Sequence, residues 1–264
     1  MYQNKRIAAI IPARDEAEAI EKVVQGLRNL DDAQGKPIID DIVVCDNGST
    51  DNTANIAKQA GALVVEQHRP GYGIACLTAL AKTNNAEILL FIDGDNAFRA
   101  PQALPLINAI ANGTDLAIGS RKLGITEKNA LTTPQCFGNW LASKLIRILW
   151  GKAVTDLGPF RAVSQKVLQR LSMQDQSYGW TIEMQIKAIQ SGMTIEEHPV
   201  DTYRRLGHSK ISGTVKGTIG AGIGILSMIA RLRWRQFRQL DKHNITSIEK
   251  QQSKLEPKII NKLA

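Results

Sequence analysis

Through its first half the chain alternates short unbroken apolar runs with stretches whose apolar residues recur every three or four positions. The runs Ile7 to Ile11, Asp41 to Cys45, Ala62 to Val65, Glu87 to Ile92 and Leu116 to Ile118 read as buried parallel strands, which are apolar on both faces. After the first run Ile20, Val23, Val24, Leu27 and Leu30 fall on one helical face. A short helix from Thr53 is stopped by Gly61, and another spans Gly73 to Ala81. Strands alternating with helices in this way predict an α/β fold with a mostly parallel sheet flanked by helices. The strand order is not legible from the pattern.

The second half is less regular. It predicts an apolar helix from Phe137 to Trp150, a loop and strand from Thr155 to Val163, a helix from Trp180 to Gln190 closed by Gly192, and a strand near Thr194 to Val200. Farther on, Gly217 to Ala230 is uncharged for 14 residues, about 21 Å as a helix. A bilayer span needs about 20 apolar residues, so this stretch is too short to cross alone. With Arg231-Leu-Arg-Trp-Arg-Gln-Phe-Arg238 behind it, residues 212–240 read as an apolar and basic helical segment, either in a membrane interface or packed on the domain. Residues 1–211 form the catalytic unit in this reading, and 241–264 a polar, lysine-rich, disordered tail.

Composition adds three constraints. With 264 residues and 43% hydrophobic content, the chain can bury one large core. Cys45, Cys76 and Cys136 are odd in number and far apart, which argues against a disulfide framework. That spacing and the absence of a signal-peptide apolar region near Ile7 to Ile11 predict a cytoplasmic protein. Nine Lys or Arg lie between Arg204 and Lys242 against one acid, Asp241, a surplus as large as the net +8 of the whole chain. Such a local excess suits a membrane surface or phosphorylated ligands, or is a solvated face.

In sheets of this kind ligands gather beyond the carboxyl ends of the strands. The polar groups there are Pro12-Ala-Arg-Asp-Glu16, Asp46-Asn-Gly-Ser-Thr-Asp51, Asp93-Gly-Asp95 and Gly119-Ser-Arg121. Asp93 and Asp95 would repel unless a cation lay between them, and Mg²⁺ or Mn²⁺ commonly takes one or two carboxylates plus phosphate oxygens. Ser49, Thr50 or Asp51 could cap the next helix, while Asp46 is also placed to accept from a base N–H. His68, His198 and His208 lie on separate segments and read as structural or exposed, although His208 stands near Arg205 and Lys210. Glu183 reads either as orienting an arginine or as a surface ion pair.

These motifs, with Arg69-Pro-Gly-Tyr-Gly73 and Phe91-Ile-Asp-Gly-Asp95, resemble the ordered motifs of family 2 glycosyltransferases with the GT-A fold, across roughly residues 5 to 211. The later half, Asp156-Leu-Gly-Pro-Phe-Arg161, Glu183 and Arg205-Leu-Gly-His-Ser-Lys210, is similar to polyprenyl-phosphate sugar transferases, with Pro159 and His208 departing from that pattern. The resemblance implies an inverting transfer of a hexose from a UDP- or GDP-sugar to a phosphorylated or lipid acceptor. It implies donor binding by Pro12, Ala13, Arg14, Glu16, Asp46, Gly48, Ser49, Gly73, Asp93 and Gly94, with Asp93 and Asp95 framing Mg²⁺ or Mn²⁺ and the diphosphate. Asp95 and Asp156 are the catalytic candidates, Asp156 being readable either as a base or as a turn residue before Gly158-Pro159. Arg121, Arg161, Arg204, Arg205 and Lys210 would receive the acceptor's charge.

Two other readings compete. Gly71-Tyr-Gly73 opening a helix, with Asp93 about twenty residues on, mimics a nicotinamide-binding fingerprint, although Cys76 stands in the third glycine's place. A non-enzymatic basic membrane-binding module would explain Trp234, Phe237 and the arginines but not the acid pair. The expected setting is therefore the cytoplasm, with peripheral attachment to the inner face of the membrane, no nucleic-acid partner, and a homo-oligomer allowed.

Overall fold

The computed structural model describes residues 1–83, 85–207 and 220–238. Its centre is a seven-stranded sheet in the order β3-β2-β1-β4-β6-β5-β7. The strands are β1 (Ile7–Ala13), β2 (Asp41–Asp46), β3 (Leu63–Glu66), β4 (Ile88–Phe91), β5 (Leu116–Ser120), β6 (Arg161–Ser164) and β7 (Ile195–Pro199). Only β6 runs against its neighbours, pairing antiparallel with both β4 and β5. Its reversal puts the segment entering β6 at the same sheet edge as the carboxyl ends of β1, β2, β4 and β5.

From β1 the chain steps to β2 and β3 on one side, while β4 pairs with β1 on the other. The order thus reverses between β1 and β4, which opens a crevice at their carboxyl ends, the usual seat of a ligand in an open α/β sheet.

Helices cover both faces of the sheet. Ile20, Val23, Val24 and Leu27 of α1 (Ile20–Arg28) are buried, as their spacing predicts. They share one core with α4 (Ala103–Ala111). Across the sheet, α3 (Tyr72–Leu80), α6 (Gln165–Leu171) and α7 (Trp180–Gln190) enclose a second core around Phe91, Trp180 and Met184. The remaining helices are α2 (Thr53–Gln59) and α5 (Thr133–Trp150), the latter opened by a capping box between Thr132 and Gln135 and closed by Gly151 in the left-handed region. A third core joins α5 and α7 to the helical residues 220–238, here α8, through Ala142, Ile146, Ile182, Ile186, Met228, Ile229 and Leu232.

Several boundaries differ from the sequence reading. The strand expected from Thr155 to Val163 begins only at Arg161, because Pro159 has no N–H to give a ladder. Helices α4 and α6 stand outside the elements read from sequence, Pro105 being accommodated in the first turn of α4. One face of α8 is packed on the domain, while Ile223, Leu226, Trp234 and Phe237 on its other side are exposed. Among the described residues no helix is long and apolar enough to cross a membrane. Residues 211–219 and the tail from 239 lie outside the described residues.

Leu90 has no exposed surface at the centre of β4. Leu90→Ala is expected to lower unfolding stability by about 2–5 kcal/mol in a denaturant titration.

Candidate active site

The loops after β1 and β2 are laced together before any ligand is considered. Asp15 adopts a left-handed conformation (φ 52°), which turns three successive backbone N–H groups toward the β2 loop. The N–H of Asp15 donates to Ser49 Oγ at 2.9 Å, that of Glu16 to Thr53 Oγ1 at 2.8 Å, and that of Ala17 to Asp51 Oδ2 at 3.1 Å. In return Thr50 donates its N–H to Asp15 Oδ1 at 2.6 Å. Ser49 also donates its hydroxyl to Asp46 Oδ1. Ser49, Thr50 and Asp51 therefore hold the Asp15 turn, and Glu16 is fixed facing the crevice.

That crevice is a cavity of about 350 Å³ lined by Pro12, Ala13, Arg14, Glu16, Asp93, Gly94, Asp95 and Arg205, together with Asn47, Pro70, Gly71, Tyr72, Ala75, Ser177 and Tyr178. Among the expected donor residues Pro12, Ala13, Arg14, Glu16, Asp93 and Gly94 meet here. Asp46, Gly48, Ser49 and Gly73 are not part of its wall. Asn47 was not anticipated, yet its amide donates to the carbonyls of Gln67 (2.8 Å) and Arg69 (2.7 Å) and accepts from the Gly71 N–H (2.8 Å). An asparagine between an aspartate and a glycine looks like ordinary turn chemistry in a sequence, so nothing there marks it.

Three carboxylates share the cavity. Asp93 accepts from Tyr72 Oη at 3.0 Å, and Asp95 accepts from the Ala97 N–H at 3.0 Å. Arg205 supplies the cation, 2.6 Å from Glu16 and 3.5 Å from Asp95. Burial, reinforced by the Asp95 and Asp93 charges, pushes Glu16 up to about 7 against the pull of Arg205. Burial and the adjacent Asp95 likewise raise Asp93 far above the carboxylate range, to about 7, despite the Tyr72 hydrogen bond. Glu16 Oε2 is buried without a hydrogen-bond partner among the described residues. The cavity thus gathers three carboxyl groups around Arg205, with Arg14 also in its lining.

Such a donor set fits a hard divalent cation. No cluster of three or more His, Cys, Asp or Glu able to hold a metal occurs among the described residues. Mg²⁺ and Mn²⁺ sites built from one or two carboxylates and completed by ligand phosphates do not require one. Asp93 and Asp95 are the residues that would hold the ion.

A second cavity, of about 700 Å³, is lined by Arg121, Lys122, Lys144, Arg147, Gln135, Asn139, Trp140, Ser143 and Asp156, among others. Asp156 is its only carboxylate, and Arg121 takes both of its oxygens, Nε to Oδ2 at 2.8 Å and Nη2 to Oδ1 at 2.7 Å, with the Arg121 N–H adding a third bond at 2.7 Å. Asp156 is 1% exposed. Its geometry is that of a group holding Arg121. Arg121 is also near enough to Asp93 to pull its acidity back toward normal, so it stands at the seam between the two cavities.

The other expected acceptor groups part company. Arg161 has no exposed surface, and its guanidinium is spent on the carbonyls of Leu157, Gly158 and Thr181. Burial lowers it to about 10, still charged at neutral pH. It ties the loop before β6 to α7 and does not reach an acceptor. Arg204 is exposed, Arg205 belongs to the first cavity, and Lys210 and His208 lie outside the described residues. Glu183 orients no arginine; it is buried in a pair with Lys187 at 2.7 Å.

The nicotinamide alternative fails on geometry. The Gly73 and Ile74 N–H groups at the start of α3, which a pyrophosphate would need, donate to the carbonyls of Ser177 (3.1 Å) and Gln176 (3.0 Å).

Comparison with known proteins bears on the family and the fold. The model of "Glycosyl transferase family 2" matches residues 8–172. An uncharacterized glycosyltransferase of Mycobacterium tuberculosis is 28% identical over 227 residues, 85% of this chain and 98% of its own. The dolichyl-phosphate hexose transferase of Haloferax volcanii is 28% identical over 236 residues, 88% of this chain and 98% of its own. Among solved structures, glucosyl-3-phosphoglycerate synthase from Mycobacterium tuberculosis, in complex with Mn²⁺, UDP and glucosyl-3-phosphoglycerate, superposes with a TM-score of 0.66 at 24% identity, covering 86% of this chain and 81% of that one.

Because Asp93 and Glu16 both hold their protons up to about pH 7, a cation must displace them below that pH and meets free carboxylates above it. Mn²⁺ affinity, measured by calorimetry, is expected to rise about tenfold per carboxylate from pH 6 to pH 8 and then level off. Asp93→Asn is expected to flatten that rise.

Proposed function

The chain belongs to glycosyl transferase family 2 and has its GT-A fold, and from that premise we propose that it moves a hexose from a nucleotide diphosphate sugar to a phosphorylated acceptor, a polyprenyl phosphate in the first instance, at a membrane surface. The observation that carries this reading is the buried acid pair Asp93 and Asp95 in the β1–β4 crevice. A divalent cation bound there would neutralise the diphosphate as it leaves the sugar.

The chain's own residues divide the remaining work. Glu16, next to Pro12 and Ala13, would meet the nucleoside end of the donor, and Asn47, whose amide is spent on the backbone of Gln67, Arg69 and Gly71, holds the loop beside it. Arg205 is already in the cavity and is the cation nearest to where a diphosphate would sit. Asp156 positions Arg121 at the seam, aimed by two parallel hydrogen bonds. A phosphate acceptor is an oxyanion at neutral pH and needs no base, so a single displacement with inversion can proceed without one.

The acceptor side rests on the larger cavity. Arg121, Lys122, Lys144 and Arg147 bring four cations to it, Asp156 is already paired, and Ser143 Oγ is buried with no partner among the described residues. Trp140, Leu131 and Val154 supply apolar wall, and Phe137 and Trp140 are exposed on α5. That combination suits a phosphate carrying a hydrocarbon chain. The outer side of α8, with Ile223, Leu226, Trp234 and Phe237 among the exposed Arg231, Arg235 and Arg238, supports peripheral attachment to an anionic lipid surface on the cytoplasmic side.

In a thermal-shift panel of nucleotide sugars, the correct donor is expected to raise the melting temperature with Mn²⁺ or Mg²⁺ and to lose most of that gain in EDTA. Asp93→Asn and Asp95→Asn are expected to cut turnover by about 100-fold or more, roughly 2.7 kcal/mol or more of transition-state stabilisation. Full activity in both variants would remove the reading. The protein is also expected to sediment with anionic vesicles at low salt and to be released as salt rises.

A further inference from the structure

Ser177 and Tyr178 in the lining of the donor cavity belong to a turn, residues 174–178, whose position is set from outside the cavity. Glu183 is 1% exposed on α7 and does not line the cavity. Its carboxylate accepts the N–H of Gln174 at 3.1 Å and that of Asp175 at 2.7 Å. Lys187 balances its charge at 2.7 Å and passes a hydrogen bond to the carbonyl of Ser172, also at 2.7 Å. A carboxylate withdrawn from water persists only with such partners, so the backbone of 172–175 is fixed on α7. Asp175 then accepts the Ser177 N–H at 2.8 Å, which closes the turn.

From the opposite side the turn is pressed onto α3. The carbonyls of Gln176 and Ser177 accept the Ile74 and Gly73 N–H groups, as described above. A Cβ at Gly71 would lie 2.2 Å from the Gln176 carbonyl oxygen, and one at Gly73 would lie 2.2 Å from that of Asp175. The two glycines of the Arg69 to Gly73 motif therefore admit the turn's backbone. Clamped between Glu183 and these glycines, the turn brings Ser177 and Tyr178 into the lining of the cavity that also holds Asp93 and Asp95.

We propose that Glu183 is a positioning residue for donor binding: it holds the 174–178 turn so that Ser177 and Tyr178 form the wall against which the sugar nucleotide seats. This deepens the donor reading above and rests on it. A serine and a tyrosine lining the same cavity as the acid pair are chemistry for the hydroxylated, ring-bearing parts of a sugar nucleotide. Misplacement of such a wall by about 1 Å weakens a bound geometry substantially.

Glu183→Gln would turn an amide N–H toward the backbone N–H groups and leave Lys187 without its counterion. In the full-length protein the expected result is a rise of about tenfold in the KM for the nucleotide sugar, with kcat changed by less than about threefold. Affinity for Mn²⁺ alone, which depends on Asp93 and Asp95, is expected to stay as in the parent. Should that variant fail to fold, Gly73→Ala displaces the same turn from the other side and is expected to raise the same KM, again with Mn²⁺ binding intact. A folded variant with an unchanged donor KM would overturn the proposal. So would one that loses Mn²⁺ and donor binding together, since that marks general damage to the cavity. Failure of the donor reading itself is separable, because it appears as full activity in Asp93→Asn, whatever Glu183 does.

Discussion

The structure turns on three carboxyl groups gathered where the sheet reverses direction. Asp93 and Asp95 lie at the end of a strand that is buried along its whole length, and Glu16 faces them from the end of β1. Water cannot screen these groups well, and among the described residues Arg205 pairs with Glu16 and Asp95. Burial and mutual repulsion therefore keep Asp93 and Glu16 close to neutrality near pH 7. A site in that condition gains by taking up a cation, and a ligand that brings its own phosphates completes the coordination. Much of the surrounding architecture maintains this arrangement: the lacing of Asp15 to Ser49, the Asn47 amide bridging two loops, and the Arg121–Asp156 pair at the border of the second cavity.

Much of this was legible in the residue order. Apolar runs fixed β1, β2, β4 and β5 to within a few residues, because strands covered on both faces have no polar positions to blur them. The polar groups that follow those strands had to lie at one sheet edge in a parallel sheet, so Pro12, Glu16, Asp93 and Asp95 could be grouped before any coordinates existed.

What escaped the reading depends on tertiary burial. Arg161 and Arg121 look alike in the sequence, each following a glycine-containing segment, yet one is enclosed by carbonyls and the other lines a cavity. Asp156 reads as a free carboxylate until its partner 35 residues away is seen. Ser177 and Tyr178 carry no signal of their own, because the turn that displays them is placed by Glu183 and by two glycines more than a hundred residues earlier. The basic surplus near the carboxyl end was read as an anionic-surface signal. In the structure it is divided, since Arg205 serves the acid cavity, Arg235 donates to Gln174, and Arg231 and Arg238 are exposed on α8.

The central claim is that the Asp93–Asp95 pair and a diphosphate together hold one divalent ion. Anomalous diffraction from crystals soaked with Mn²⁺ and a nucleoside diphosphate tests it directly. The account requires a single Mn²⁺ peak within coordination distance of a carboxylate oxygen of that pair and of the diphosphate. Diphosphate bound in the β1–β4 crevice with the manganese elsewhere, or bound beside Arg121 and away from the acid pair, would contradict it.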